Sequence, residues 1–209
     1  MATSLKSQNN IKLYGLLVAN LVVFAGAVQS NALLAGDWTD LTDMLGRIAP
    51  ATAGVVLVGI LNGLLPPDVK ARLVFLRWND PLPGSEAFTR HRHGDPRIDN
   101  AALESTYGPF PTQPKEQNAA WYRLYRSVGE DVAVMDAHRT FLLARDYCAL
   151  AFLAFLVLAP LSYLFVDSAK VASVFLGALV LQVLVAWQAA RSSGVRLVTT
   201  VLALKSAGH

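Results

Sequence analysis

The sequence predicts an all-α membrane protein, with four transmembrane helices in two hairpins and a largely helical cytoplasmic insert between the second and third helices. Three observations predict it. Four runs, 13–34, 48–65, 147–166 and 171–190, contain no Asp, Glu, Lys, Arg or His, and each approaches or exceeds the ~20 residues with which a helix crosses ~30 Å of hydrocarbon. Most ionisable side chains fall instead in the stretch 66–146. The whole chain is 54% hydrophobic and 16% charged, well to the apolar side of soluble domains, in which about 25% of residues are charged. Lipid offers backbone N–H and C=O groups no partner, so apolar runs of this length must close their own hydrogen bonds as helices.

The predicted organisation is a tail and first hairpin over 1–65, a cytoplasmic segment over 66–146, a second hairpin over 147–190 and a cytoplasmic C-terminal helix over 191–209. Orientation follows from the basic residues. Of the 18 Lys and Arg, all except Arg47 and Lys170 fall on the side shared by the two termini and the 66–146 segment, and basic flanks mark the cytoplasmic face. The expected location is the cell inner membrane, multi-pass, with both termini cytoplasmic. The opposite loops carry Asp37, Asp40, Asp43 and Asp167, and Tyr14, Trp38, Tyr147, Tyr163 and Trp187 stand near run ends, where amphipathic rings favour the headgroup boundary.

The first run begins like a signal peptide, with Lys6 and Lys12 ahead of an apolar core and small residues at Ala25-Gly26-Ala27. Its apolar character continues to Leu34, too long for a cleaved h-region, so a retained helix is expected. The second run stops at Leu65, because Pro66 and Pro67 remove donors and clash with the preceding turn. Residues 69–78 are short enough to read as an interfacial helix or a strand. The stretch 79–84 is turn-rich, and six of the ten prolines lie between Pro81 and Pro114, which predicts an ordered loop or extended wrap. From Lys115 the apolar residues Trp121, Leu124, Tyr125, Val128, Val132, Met135, Phe141 and Leu142 recur mainly at helical spacing. Two readings stay open there: one rod running through Arg145 and Asp146 into the third span, or a break near Gly129 that folds the first half back. After the fourth run, Gly194 predicts a bend, and 195–205 a helix packed against the Trp121 helix.

Candidate chemistry is sparse. The lone Cys148 is expected to be a packing residue and excludes an intrachain disulfide framework. Arg90-His91-Arg92-His93-Gly94-Asp95-Pro96-Arg97 is the one cluster with metal-ligand residue types: in an extended stretch His91 and His93 share a face, and with Asp95 they could hold a divalent ion for a membrane-anchored metal-dependent hydrolase. Three arginines in the same turn oppose a cation, so the preferred assignment has no metal, no cofactor and no catalytic residues, with those arginines pairing with Asp95 and Asp99 or lying on anionic headgroups. His138 is either a pH-sensitive group above the bilayer or a packed histidine with a partner. Trp121, Tyr122, Tyr125, Arg126 and His138 are the expected partner or ligand interface, since Tyr and Trp suit protein contacts. Gly59, Asn62 and Gly63 are the expected helix-packing positions, because small residues let helices approach closely. Asn20, Gln29, Ser30, Asn31, Thr52, Asn62, Ser162, Ser173 and Gln182 supply uncharged polar groups to the runs, read as interhelical hydrogen bonding or a polar pore lining.

Neither a phosphate loop, a nucleophile elbow nor a nucleotide fingerprint occurs. The pI of 9.1 suggests nucleic acid, but the 66–146 segment carries eleven Lys plus Arg against eleven Asp plus Glu, so the basic excess belongs to the tails that flank the spans, and no direct nucleic-acid binding is expected. The layout resembles that of small bacterial membrane subunits of anti-phage and stress systems, in which a few spans join a modest cytoplasmic domain; the likeness is one of architecture and transfers no site residues. The expected function is a homo-oligomeric membrane sensor or pore-forming effector or accessory subunit whose cytoplasmic module binds a partner protein or ligand.

Overall fold

The computed structural model describes residues 7–30 and 41–208. Met1, Lys6, Asn31, Asp37, Trp38, Asp40 and His209 lie outside the described residues, as do the side chains of Asp43 and Arg47. The described residues form helix and turn, with no strand among them. In chain order the α-helices are α1 (Ser7–Val28), α2 (Leu41–Leu64), α3 (Pro67–Phe75), α4 (Asn100–Tyr107), α5 (Pro114–Ser127), α6 (Val132–Phe165) and α7 (Ala169–Ser206), with short 3-10 turns at Pro83–Glu86 and His91–His93. By length and composition α1, α6 and α7 can each cross a membrane; α2 adds a fourth span if it and α3 count as one span broken at Leu65 and Pro66. Two compact units divide the chain, one of Met1–Leu65 with Asp146–Trp187, the other of Pro66–Arg145 with Gln188–His209.

In the first unit, α1 buries Leu13, Leu17, Asn20, Phe24 and Val28, and α2 buries Ala51, Val55, Val58 and Asn62. These are spacings of three and four, so each helix turns one stripe inward. The opposite faces are apolar too: Val18, Val22, Val23, Val56, Leu57 and Ile60 are exposed, as hydrocarbon surroundings permit and water would penalise. Phe24 meets Phe175 edge-on at 5.6 Å. Small residues set the closest approaches. A Cβ on Gly59 would lie 3.3 Å from Leu17 Cδ1, and one on Gly54 would lie 2.5 Å from Val157 Cγ1, whereas Gly63 faces open space.

The polar groups of the runs differ from the expected cross-helix pattern. Asn20 Nδ2 donates to Leu16 O at 3.0 Å, Thr52 Oγ1 to Ile48 O at 3.1 Å, Ser162 Oγ to Ala159 O at 2.7 Å and Ser173 Oγ to Ala169 O at 2.8 Å. A carbonyl one turn back is the nearest acceptor a short polar side chain has in a helix. Gln182 does bridge helices, donating to the Tyr147 hydroxyl at 2.8 Å.

In the second unit, Pro67 occupies the first turn of α3, where its missing N–H is no loss, and Leu76 closes the helix in the left-handed region at φ 52°, its N–H bonded to Arg72 O. Residues 67–75 are thus helix and not strand. Asp99 caps α4 by accepting from Ala102 N at 3.0 Å. The uninterrupted rod from Lys115 does not form: α5 ends at Ser127, and α6 begins at Val132 with Asp131 Oδ1 accepting from Ala133 N at 2.8 Å. Gly129 lies in this elbow, and the new cap restarts the helix in a different phase. Val132 is consequently 76% exposed, while Val134, Ala137 and Phe141 are buried. Beyond the elbow α6 runs unbroken past Arg145 and Asp146 to Phe165.

The helix does not break at Gly194, since α7 is continuous through it. A Cβ there would lie 2.6 Å from Phe75 Cζ and 3.0 Å from Phe141 Cε2, so this glycine serves the approach of two buried rings. Trp121 itself packs against the 3-10 turn at Pro83–Glu86. A Cβ on Gly84 would lie 2.7 Å from Trp121 Cε3.

Candidate functional site

A buried glutamine organises the second unit. Gln117, on α5 one turn ahead of Trp121, is 1% exposed. Its Oε1 accepts from the backbone N–H groups of Phe88 at 3.0 Å and Thr89 at 3.1 Å, while Nε2 donates to Thr112 O at 2.7 Å. One side chain thus ties both ends of the proline-rich segment to α5. Phe88 stacks on Phe110 at 4.1 Å, and the Arg92 guanidinium lies 5.5 Å over the Phe110 ring.

The segment so held carries the residues considered for metal. His91 and His93 sit in a 3-10 turn, not an extended strand, and at three residues per turn positions i and i+2 point apart. His91 is buried, its Nε2 3.9 Å from Glu86 Oε2; His93 is exposed and takes a hydrogen bond from Arg92 Nε at 3.1 Å. Asp95 grips Arg97, with contacts of 2.6 Å to Nη2 and 3.0 Å to Nε. No group of three or more His, Cys, Asp or Glu able to hold a metal occurs among the described residues, so the His91/His93/Asp95 centre is not assembled. Asp99 is spent on the α4 cap, and Arg92 pairs with Glu104 at 2.6 Å.

What the structure brings together instead is an open groove of about 620 Å³ lined by Arg90, His91, Asp95, Arg97, Arg191 and Arg196, with Gln188, Ser192 and Thr199. The α7 members fall at spacings of three and four, so one helix face supplies them. Burial, opposed by Glu86 and reinforced by Arg90, Arg77 and Arg191, lowers the His91 pKa to about 4, which leaves the imidazole neutral at pH 7. The hydrogen bonds from Arg97 hold the Asp95 carboxyl well below the usual carboxylate range. A second pocket of about 420 Å³ mixes Asp68 and Asp80 with Arg72 and Lys115 and so favours neither sign of charge.

The aromatic set divides. Trp121 is buried and Tyr125 half-buried, the two stacked at 5.6 Å, so Trp121 belongs to the core. Tyr122 and Arg126, one turn apart, are exposed and remain available for contact. His138 Nδ1 shares a 2.9 Å hydrogen bond with the Tyr125 hydroxyl, which makes it a partnered histidine that joins the two sides of the elbow. Among the packing positions, Gly59 meets Leu17, Asn62 is buried with Oδ1 unpartnered, and Gly63 is open.

Sequence reasoning missed Gln117, Gly84 and the pairing of Arg90 and Arg97 with Arg191 and Arg196. Gln117 had a signal, since it continues the buried helical face of Trp121 and Val128 one turn earlier; the groove had none, because its halves lie far apart in the chain. No family model matches the chain, and neither the curated proteins nor the solved structures compared with it give a match.

Proposed function

We propose that the protein is a non-enzymatic, multi-pass inner-membrane sensor or effector subunit. It has four spans in two hairpins, both termini and residues 66–146 in the cytoplasm, and it works as a homo-oligomer whose cytoplasmic module receives a ligand or partner protein. One observation carries this reading. Helices α6 and α7, 34 and 38 residues long, exceed the ~20 residues a bilayer requires, and each supplies residues to both compact units. An event at the module has two unbroken helices through which to bias the spans. The spans' lack of ionisable residues supports a signalling or pore role over ion-coupled transport, which usually needs a charge within the bilayer. The exposed Tyr122 and Arg126 suit a partner contact, and Gly63 is a small position with nothing within 4 Å of a Cβ there among the described residues.

Oligomeric state in nanodiscs tests the proposal. Gly59→Leu perturbs packing against Leu17 inside the subunit, whereas Gly63→Leu meets nothing within 4 Å. The expected result is that Gly63→Leu dissociates the assembly while leaving the thermal midpoint of the subunit intact. Wild-type protein that stays monomeric in bilayers of its native lipids removes the oligomeric reading.

A further inference from the structure

In the groove that Arg90, Arg97, Arg191 and Arg196 line, Arg90, Arg97 and Arg196 have more donors than the acids beside them satisfy. Asp95 is the one acid in its wall, and it is committed to Arg97 through Nε and Nη2. Arg97 still has guanidinium N–H groups beyond those two. Arg90 reaches Glu86 at 3.4 Å, but that carboxylate is held more closely by Arg77, at 2.7 Å. Arg196 makes a single 3.3 Å contact with Asp136, and both side chains are more than half exposed, a pairing that contributes little. In the same wall His91 is 7% exposed, and its Nε2 is buried without a hydrogen-bond partner. That nitrogen lies 3.9 Å from Glu86 Oε2, outside the groove lining, so it is the surplus guanidinium donors that mark the groove as a place for an acceptor.

We infer that this groove binds a phosphate-bearing anion, with Arg90, Arg97, Arg191 and Arg196 as its clamp and Thr199, Ser192 and Gln188 as neutral hydrogen-bonding groups. Guanidinium forks match phosphate oxygens two at a time. The volume of about 620 Å³ accommodates a phosphomonoester or phosphodiester headgroup, since small-molecule sites typically occupy ~300–1,000 Å³. Arg191 directly follows the apolar run 171–190, a position at which basic side chains meet anionic headgroups. The shared chemistry is the phosphate ester; its source is a lipid headgroup or a free phosphate compound. The inference rests on the sensor reading for its meaning and names the ligand of that module.

Hydrogen exchange of the full-length protein in nanodiscs tests it, read over residues 88–100. In one arm, phosphatidylcholine discs are titrated with inorganic phosphate at fixed ionic strength. In the other, phosphatidylcholine discs are compared with discs containing about one-third phosphatidylglycerol and no free phosphate. Slower exchange in the first arm supports a free-phosphate ligand, and slower exchange in the second alone supports a headgroup. The double variant Arg90→Gln with Arg196→Gln, whose substituted side chains are largely exposed and leave folding intact, should weaken the protecting effect about tenfold or more, the loss expected when charged hydrogen bonds are removed. Arg123→Gln, exposed and outside the groove, should change nothing. No slowing in either arm, or an equal loss in Arg123→Gln, overturns the site. A monomeric protein that still shows protection keeps the anion site and removes the oligomeric reading, so the two failures are distinguishable.

Discussion

Replacing Gln117 with leucine removes the clamp while nearly preserving its volume. The substitution strands the backbone N–H groups of Phe88 and Thr89 and the carbonyl of Thr112, all bonded to Gln117 at 2.7 to 3.1 Å. An unsatisfied buried group costs ~1–3 kcal/mol; Phe88 is buried whereas Thr89 and Thr112 are exposed residues that water can reach, so the three together cost about 3 kcal/mol, the low end for three such groups. Domains are stable by only ~5–15 kcal/mol, so even about 3 kcal/mol is a large fraction. Gln117→Glu keeps an acceptor for the two N–H groups and turns a carboxylate oxygen toward Thr112 O; it should fall between wild type and Gln117→Leu. Urea unfolding in mild detergent, followed by tryptophan fluorescence, measures the loss, and limited proteolysis between Asn79 and Gln113 locates it. The clamped amides directly precede Arg90 and His91, so Gln117→Leu should also abolish phosphate protection. A Gln117→Leu protein within about 1 kcal/mol of wild type, well short of the stated penalty, would refute the claim that this side chain holds the segment.

Three further outcomes are expected. Gly194→Ala should destabilise by about 1–3 kcal/mol through crowding of Phe75 and Phe141, less the ~1 kcal/mol that alanine gains in a helix; a raised melting temperature would show that the rings have room. His91, with a pKa of about 4 folded against 6.5 in the unfolded chain, contributes stability that is complete above pH 6.5, falls as the unfolded chain takes up a proton, and is gone below pH 4. The span of that loss is about 3 kcal/mol, and His91→Gln should flatten this part of the unfolding profile between pH 4 and 6.5. In a Cys148→Ala background, Lys170→Cys should react with an impermeant maleimide from outside intact cells and Ser105→Cys should not; labelling of Ser105→Cys would reverse the proposed orientation.

The helical, apolar character was legible because exclusion of charge over ~20 residues has few physical causes. The Pro66-Pro67 stop was equally plain. The elbow was not decided by sequence: Gly129 weakens a helix by only ~1 kcal/mol, and what ends α5 and restarts α6 is the cap by Asp131 with the Tyr125–His138 hydrogen bond, a contact between two helices. Gly194 carries a role the sequence did not signal, the space that two rings require. The metal reading failed on conformation, because His91 and His93 share a face only if extended. The arginine groove was hidden, since neither 90–97 nor 191–199 signals the other, and each reads alone as a solvated charge cluster.

The unbroken course of α6 from Val132 to Phe165 also restricts how this protein's length can vary among descendants. Adding one residue near Arg145 would advance everything beyond it by ~1.5 Å and turn it by ~100°. Seven residues, close to two full turns, would restore the facing but lengthen the helix by ~10 Å. Residues 108–113 lie outside any helix, so a change of length there carries no such rotation and is resisted instead by the contacts of Phe110 and Thr112.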